Sequence, residues 1–595
     1  MVSIFRSAFA ATALLLAASC GPEATTAKEP PLVPVETFTL ENGLRVVLNI
    51  DKSDPVVSVV LAAHAGSARE TPGRTGFAHM FEHLFFLDSE NLGPGGLDKL
   101  TARVGGSGAN GFTNNDQTVY LQTIPNDALE KMIWAEADKL GYFINTVTPA
   151  VLEKEKQVVK NEKRQSVDNR PYGQLFPVLS AAMFPADHPY SWPVIGSLAD
   201  LDAATLEDVR SFHKRWYVPN NSTLVLSGDF DPAQAKAWVE KYFNDIPKGE
   251  AVERAPPRPA PLAQTVSLLH EDNFATLPQL TLAWPAPPAF DKDVWPTIML
   301  LTLLTDGQEA PLNKSVVEDG KLAGGVGMLV DDGQLAGIAG LNITAFDGVD
   351  LDKVQAAVNA GFAAFEAEGV KPDALARVKA VAESNFFASL GTVNGKAAQL
   401  ARYDGLLGRA DFADEDLARL RAVTAEDVKR VYETYIKGKP HFAASFVPKG
   451  QAALALEGAT VAKVVEEPIV QGAEAPIDAA ADRPAEQVKT PSSFDRSVEP
   501  PFGPTPVVKA PTPWTVELSN GLPLMGIEDS ELPIVAFEFA IDGGRLREDV
   551  ARPGLAAVTA EMLTRGTETK TRAEFENALQ SLGAQVRAQA GEGHI

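Results

Sequence analysis

The sequence predicts an α+β protein assembled from repeated mixed domains, and three observations carry that prediction. Short strand signals alternate with amphipathic or apolar helix signals from about residue 36 to residue 255. A second stretch, about 256–450, mixes strands and helices again. The text that opens the first stretch then returns: Leu40-Glu41-Asn42-Gly43-Leu44 recurs as Leu518-Ser519-Asn520-Gly521-Leu522, an offset of 478 residues, and Gly66 and Gly76 recur as Gly544 and Gly554 at the same offset.

The first elements follow from local chemistry. Thr37–Leu40 and Leu44–Ile50 flank Asn42-Gly43, a dipeptide that tolerates the positive φ of a tight hairpin turn. Val56–Ala63 is an apolar run that reads as a buried strand, and Thr118–Thr123 as another. Between them Gly76–Leu87 reads as a helix. Thr148 before Pro149 is a helix start, with threonine as cap and proline at the first helical position, and that helix should run to about Ser166. Asn221–Phe230 returns to strand, and Pro256–Pro261 marks a boundary. In the second stretch Gln279–Trp284 is a strand, while Leu351–Glu368 and Thr424–Ile436 are helices. Residues 451–512, rich in Pro, Ala and acidic side chains, read as an extended linker. Residues 513–595 begin a second copy of the first domain, and the chain stops before that copy is complete. Its apolar stretches Val535–Ile541 and Leu555–Leu563 are therefore expected to be exposed.

Composition narrows the function classes. A chain of 595 residues exceeds what one core supports, and 45% apolar with 22% charged residues is ordinary for soluble globular domains. A net charge of −25 repels phosphate backbones, so nucleic acid is not an expected partner. At the N-terminus Arg6 precedes an apolar run, Ala8–Ala18, too short to span a bilayer. It reads as the core of a signal peptide over residues 1–20, followed by a polar tether over 21–35, so the protein is expected to be exported. Cys20 is the only cysteine, which rules out an internal disulfide. The segment resembles a bacterial lipoprotein signal, which implies a lipid on Cys20, a place in the periplasm or cell envelope, and membrane contact through that anchor alone.

The chemistry concentrates in the Gly76–Leu87 helix. It is apolar all round except for His79, Glu82 and His83, which at i, i+3 and i+4 share one face. Buried polar groups need partners, and a cation facing them would supply one. Two imidazoles four residues apart can grip one zinc while the intervening glutamate reaches a water on the metal. A catalytic zinc takes a third protein ligand, and the Thr148 helix offers candidates, because Leu152, Glu155, Val159 and Glu162 fall on one face. Neighbouring Lys154, Lys156, Lys160 and Lys163 leave open that these glutamates merely pair with surface lysines.

His79-Met80-Phe81-Glu82-His83, with Glu155 and Glu162 downstream, resembles the pitrilysin/insulinase family of metallopeptidases, the group with the inverted zinc motif. The text Gly105–Thr113, His188–Tyr190 and Ser227–Asp229 is similar to family text as well. The resemblance implies repeated two-layer domains, each a mostly antiparallel sheet with helices packed on one face, with residues 36–255 the catalytic zinc-peptidase domain and 256–450 a second, non-catalytic domain of the same fold. It implies one zinc per chain held by His79, His83 and Glu162, with Glu155 supporting the ligands. It implies that Glu82 takes a proton from a zinc-activated water and passes it to the leaving amine. Substrate peptides would add as a strand beside Asn110, Gly111, Phe112 and Thr113. At the 478 offset His79, Glu82 and His83 become Ala557, Ala560 and Glu561, so the second copy cannot bind zinc this way. In the family an inactive half closes over the active one, which implies a complementary C-terminal half or partner subunit. Two functions fit: a zinc endopeptidase acting on peptides or unfolded polypeptides, and a non-catalytic scaffold or peptide-binding subunit of an envelope assembly. The intact motif favours the first.

Overall fold

A computed structural model describes residues 30–472 and 489–595. The signal peptide and the lipidation of Cys20 lie outside the described residues.

The first unit carries a six-stranded sheet: β1 (Glu36–Thr39), β2 (Arg45–Ile50), β3 (Val56–Ala63), β4 (Ser107–Thr113), β5 (Thr118–Pro125) and β6 (Ser222–Gly228), in the order β1-β2-β6-β3-β5-β4. All its pairings are antiparallel except β2 with β6. Helices α1 (Phe77–Leu87), α2 (Gly96–Arg103), α3 (Leu129–Tyr142) and α4 (Pro149–Lys163) accompany it. The alternation of side chains splits β2, β3 and β6 between two cores. Val46, Leu48, Leu61, Leu224 and Leu226 pack with α1 and α3, while Val47, Val60, Ala62 and Val225 face the other way. That second face is covered by the helix Val393–Leu407 of the next unit, which explains why β6 is buried along its whole length.

The second unit repeats the plan. β7 (Val266–Asp272), β8 (Gln279–Ala286), β9 (Gly327–Asp332), β10 (Gly337–Thr344), β11 (Phe442–Pro448) and β12 (Thr460–Val461) are ordered β12-β7-β11-β8-β10-β9, so β7 to β11 occupy the places of β2 to β6 in the first sheet, while β12 takes the edge held there by β1 but pairs parallel. The parallel pair β2·β6 returns as β7·β11. Strand β12 draws the start of the linker into this second sheet.

Most predicted elements fall within two residues of their observed ends. Val56–Ala63 and Leu351–Glu368 coincide with the observed strand and helix. The helix expected to reach about Ser166 is α-helical only to Lys163 and continues as one π-turn, Arg164–Asp168. There the Ser166 hydroxyl donates to the Glu162 carbonyl at 2.8 Å and the Asn169 amide to the Arg164 carbonyl at 2.9 Å, side-chain bonds that compete with the α ladder.

The repeat at offset 478 is visible atom by atom. Leu40 N–H bonds Leu44 and Gly43 N–H bonds Leu40 in the first hairpin, and Leu518, Leu522 and Gly521 make the same two bonds in the second. Gly43 and Gly521 hold φ of 91° and 82°, the left-handed region the turn needs. Among the described residues of the second copy, the hairpin Trp514–Glu517 with Pro523–Gly526 forms its own two-stranded sheet. Val535, Phe537, Phe539 and Val558 are exposed, as the sequence leads one to expect.

Candidate metal centre

Helix α1 is fixed before any metal is considered. Gly76 caps it at φ 91°, and a Cβ there would lie 2.8 Å from the Ile195 carbonyl, so only glycine fits without strain. The buried carboxylate of Glu70 accepts from Gly76 N–H at 3.0 Å and Ala78 N–H at 2.8 Å, occupying the electropositive helix N-terminus. Burial pushes the Glu70 carboxyl up to about 8 against those amide bonds. The sequence reading passed over Glu70. The signal was available, because Glu70 and Arg69 recur as Glu548 and Arg547 at offset 478, and Glu548 caps Gly554 and Ala556 in the same way.

With α1 anchored and α4 capped by Thr148, which accepts from Val151 N–H, the two helices bring His79, His83 and Glu162 together. His79 Nε2 lies 3.6 Å from Glu162 Oε1, and His83 Nε2 lies 3.2 Å from Glu162 Oε2. The imidazole rings meet edge to face, centroids 4.8 Å apart. His83 Nδ1 meets Glu155 Oε1 at 2.8 Å, which orients the ring so that Nε2 is the nitrogen turned toward Glu162. Glu155 is buried, whereas Glu162 keeps 41% of its side chain exposed, so the cluster opens to solvent on the α4 side.

The electrostatics of the metal-free cluster are divided. Burial, helped by the neighbouring His83, pushes the His79 imidazole down to about 4. Burial also opposes charge on His83, but Glu155 and Glu162 override it and push that imidazole up to about 10. Glu82 is raised by burial, while its bond from Thr113 works the other way. Two imidazole nitrogens and one carboxylate oxygen within 4.8 Å of one another match in type and number the protein donors of a catalytic zinc, and these residues fit that ion.

Glu82 shares the α1 face and points to the edge strand β4, where the Thr113 hydroxyl donates to its Oε2 at 2.6 Å. A Cβ on Gly111 would come within 3.0 Å of both Glu82 Cγ and Phe86 Cε2, so strand and helix touch through the bare backbone of a glycine. Gly111 and Thr113 therefore face Glu82. Asn110 and Phe112 alternate outward, exposed, with the Asn110 side-chain oxygen accepting from Gly111 N–H at 2.9 Å. β4 pairs only with β5, which leaves its outer edge unpaired among the described residues.

Residues 45–194, which hold all of these groups, match the family description "Insulinase (Peptidase family M16)", and residues 203–381 match "Peptidase M16 inactive domain", together more than half of the chain. The chain belongs to the pitrilysin/insulinase family, peptidase family M16. Among M16 relatives, the zinc protease PqqE of Helicobacter pylori is 31% identical over 294 residues, 48% of this chain and 65% of that relative, so the match spans just under two thirds of its length. The zinc protease YmxG of Bacillus subtilis is 24% identical over 66% of this chain and 94% of its own. The M16 fold is seen in the crystal structure of a protease from Helicobacter pylori, with a TM-score of 0.65 at 24% identity over 70% of this chain and all of that one. The first half of the periplasmic protease PqqL from Escherichia coli superposes at 0.60 with 19% identity, covering 72% of this chain and 96% of that one.

Proposed function

We propose that this M16 chain is a zinc endopeptidase that hydrolyses peptides or unfolded polypeptides, with His79, His83 and Glu162 holding one zinc and Glu82 as general base. The observation that carries the reading is the convergence of the three donors with a fourth, non-ligating carboxylate aimed at an unpaired strand edge. When bound, zinc supplies a Lewis acid that polarises a peptide carbonyl and acidifies water. Glu82 then takes the water proton and delivers it to the leaving amine, and Thr113, by donating to Oε2, holds that carboxylate in place. Glu155 keeps the His83 ring oriented with Nε2 free to ligate. A substrate segment would add to the outer edge of β4 through backbone bonds, with Gly111 letting it lie close to the base. That mode implies weak sequence preference.

A scaffold role has in its favour the inactive-domain description of residues 203–381, but that stretch contains none of the three donors and not Glu82. Export to the bacterial envelope, anchored at Cys20, and a complementary half or partner subunit closing over the site complete the proposal. No helix among the described residues is long and apolar enough to cross a membrane. The test is metal analysis paired with hydrolysis of an unstructured peptide. Glu82→Gln should retain zinc and lose on the order of a hundredfold or more in turnover. Unchanged turnover in that variant would place the base elsewhere.

A further inference from the structure

The carboxylate donor Glu162 sits at the least regular point of its helix, one residue before α4 gives way to the π-turn Arg164–Asp168. Wide turns of this kind are rare, interrupt the α-helical ladder and recur at functional sites. Something must hold this end in place, and the linker does. Leaving the second sheet after β12, the chain crosses to the first unit at Glu466–Val470. Glu466 is tied to the second unit, accepting from the Asn273 amide at 2.7 Å and lying 3.2 Å from His270 Nε2. Glu467 is tied to the end of α4. Its carboxylate takes Arg164 Nη2 at 2.6 Å and Nε at 3.2 Å, its carbonyl accepts from the Asn169 amide at 2.7 Å, and its N–H reaches Asp168 at 3.3 Å. Val470 N–H donates to the Asn161 side chain at 2.8 Å. Asn161, Arg164 and Asp168 are all buried, so the α4 side of each of these bonds is shielded from water, which helps it hold its geometry.

The linker also returns to the other metal-bearing helix. Beyond residues 473–488, which are not described, Thr490 donates through its hydroxyl to Glu90 at 2.9 Å, and Lys489 reaches Asn91 at 3.2 Å, both in the loop that follows α1. The two described ends of one linker thus grip the C-terminal ends of both helices that carry the donors.

We propose that Glu466–Val470 is a positioning strap for the metal centre, in which Glu467, through Arg164, fixes the end of α4 and hence Glu162, and ties its place to the second unit. This rests on the zinc-site reading above. Glu467 touches neither metal nor substrate and is a positioning residue. The test compares wild type, Glu467→Gln, Glu467→Ala, Arg164→Gln and the Glu467→Gln/Arg164→Gln double variant, all as the full chain. Zinc affinity is read by chelator competition, and the cobalt-substituted site by its visible absorption spectrum. Loss of Glu467 should weaken zinc roughly tenfold and shift the cobalt bands, with far-UV circular dichroism unchanged. The double variant should be no worse than the poorer single, because both break one contact. Should Glu467→Ala lose its fold, Glu467→Gln, which keeps the side-chain size at a half-exposed position, decides the matter. Zinc affinity within twofold of wild type and unshifted cobalt bands in Glu467→Gln would overturn the strap while leaving the zinc site intact. Failure of the wild type itself to hold zinc would overturn both.

Discussion

His79 and His83 lie one helical turn apart, yet the surroundings push their protons in opposite directions, and Glu162 faces both. Replacing Glu162 by Ala removes the only carboxylate among the described residues that reaches both rings. Zinc content of that variant, measured by mass spectrometry on dialysed protein, should fall from about one per chain to near zero. Full occupancy would shift the third ligand to Glu155. Thr113→Val keeps the shape of the side chain but removes the donor at 2.6 Å from Glu82, so zinc should stay and kcat should drop by roughly tenfold. A drop in zinc content with it would mean Thr113 supports the metal and not the base. Away from the site, His213 carries a buried Nε2 with no hydrogen-bond partner among the described residues, and burial pushes its imidazole down to about 4. The unfolded chain takes this proton near pH 6.5 and the folded chain only near 4, so the contribution is intact above 6.5 and lost as pH falls between the two. The loss amounts to about 3 kcal/mol at most. Urea midpoints of His213→Leu should therefore fall less steeply over that interval than those of wild type, and parallel slopes would remove His213 from the account.

At the scale of elements, the periodicity of apolar residues made β3 and α1 legible, because burial on every side leaves a continuous apolar run interrupted only by the polar residues that have a task. The Thr148-Pro149 start of α4 was equally plain, since capping is local chemistry. Thr148→Ala should cost about 1 kcal/mol in thermal or denaturant unfolding. What local text does not specify is partnership across the chain. The duplication of the first sheet by the second lies in strand order and left only a general mixed pattern in residues 256–450, because different side chains fill the same places. The face of α4 was legible but ambiguous: Glu155 and Glu162 read equally well as surface partners of lysines. In the structure Lys160 turns instead to Asp202 and Lys163 to Asp168, leaving both glutamates to the histidines. The sequence marked Gly111 only as a place beside which substrate would add, whereas the close packing of β4 on α1 requires a glycine there. Gly111→Ala should keep zinc and lower kcat on the order of tenfold by displacing Glu82 or Phe86, and wild-type turnover would show that the two can give way.

For the whole molecule, the joint between the two units is apolar but encloses a buried polar contact. Asp404, fully buried on the helix Val393–Leu407, accepts from Arg45 Nε at 3.0 Å and from the Thr223 hydroxyl at 2.6 Å, and so bonds β2 and β6 of the other unit. Asp404→Ala strands a buried hydroxyl and a half-exposed guanidinium, and should lower stability by about 1–3 kcal/mol without touching the metal donors. A midpoint unchanged by that substitution would mean water replaces the carboxylate at no cost.

The same helix has a consequence in time. Ribosomes deliver the chain from its N-terminus at about 5–20 residues per second. Every proposed metal donor is delivered by residue 162, and the first sheet closes when β6 ends at Gly228, but the helix that roofs the underside of that sheet begins only at Val393. For the interval in which those intervening residues are made, on the order of ten to thirty seconds at that pace, Val47, Val60, Ala62 and Val225 have no cover. The first unit by itself is then a sheet with a bare apolar floor, which the second unit covers only once Val393–Leu407 has been made and docked.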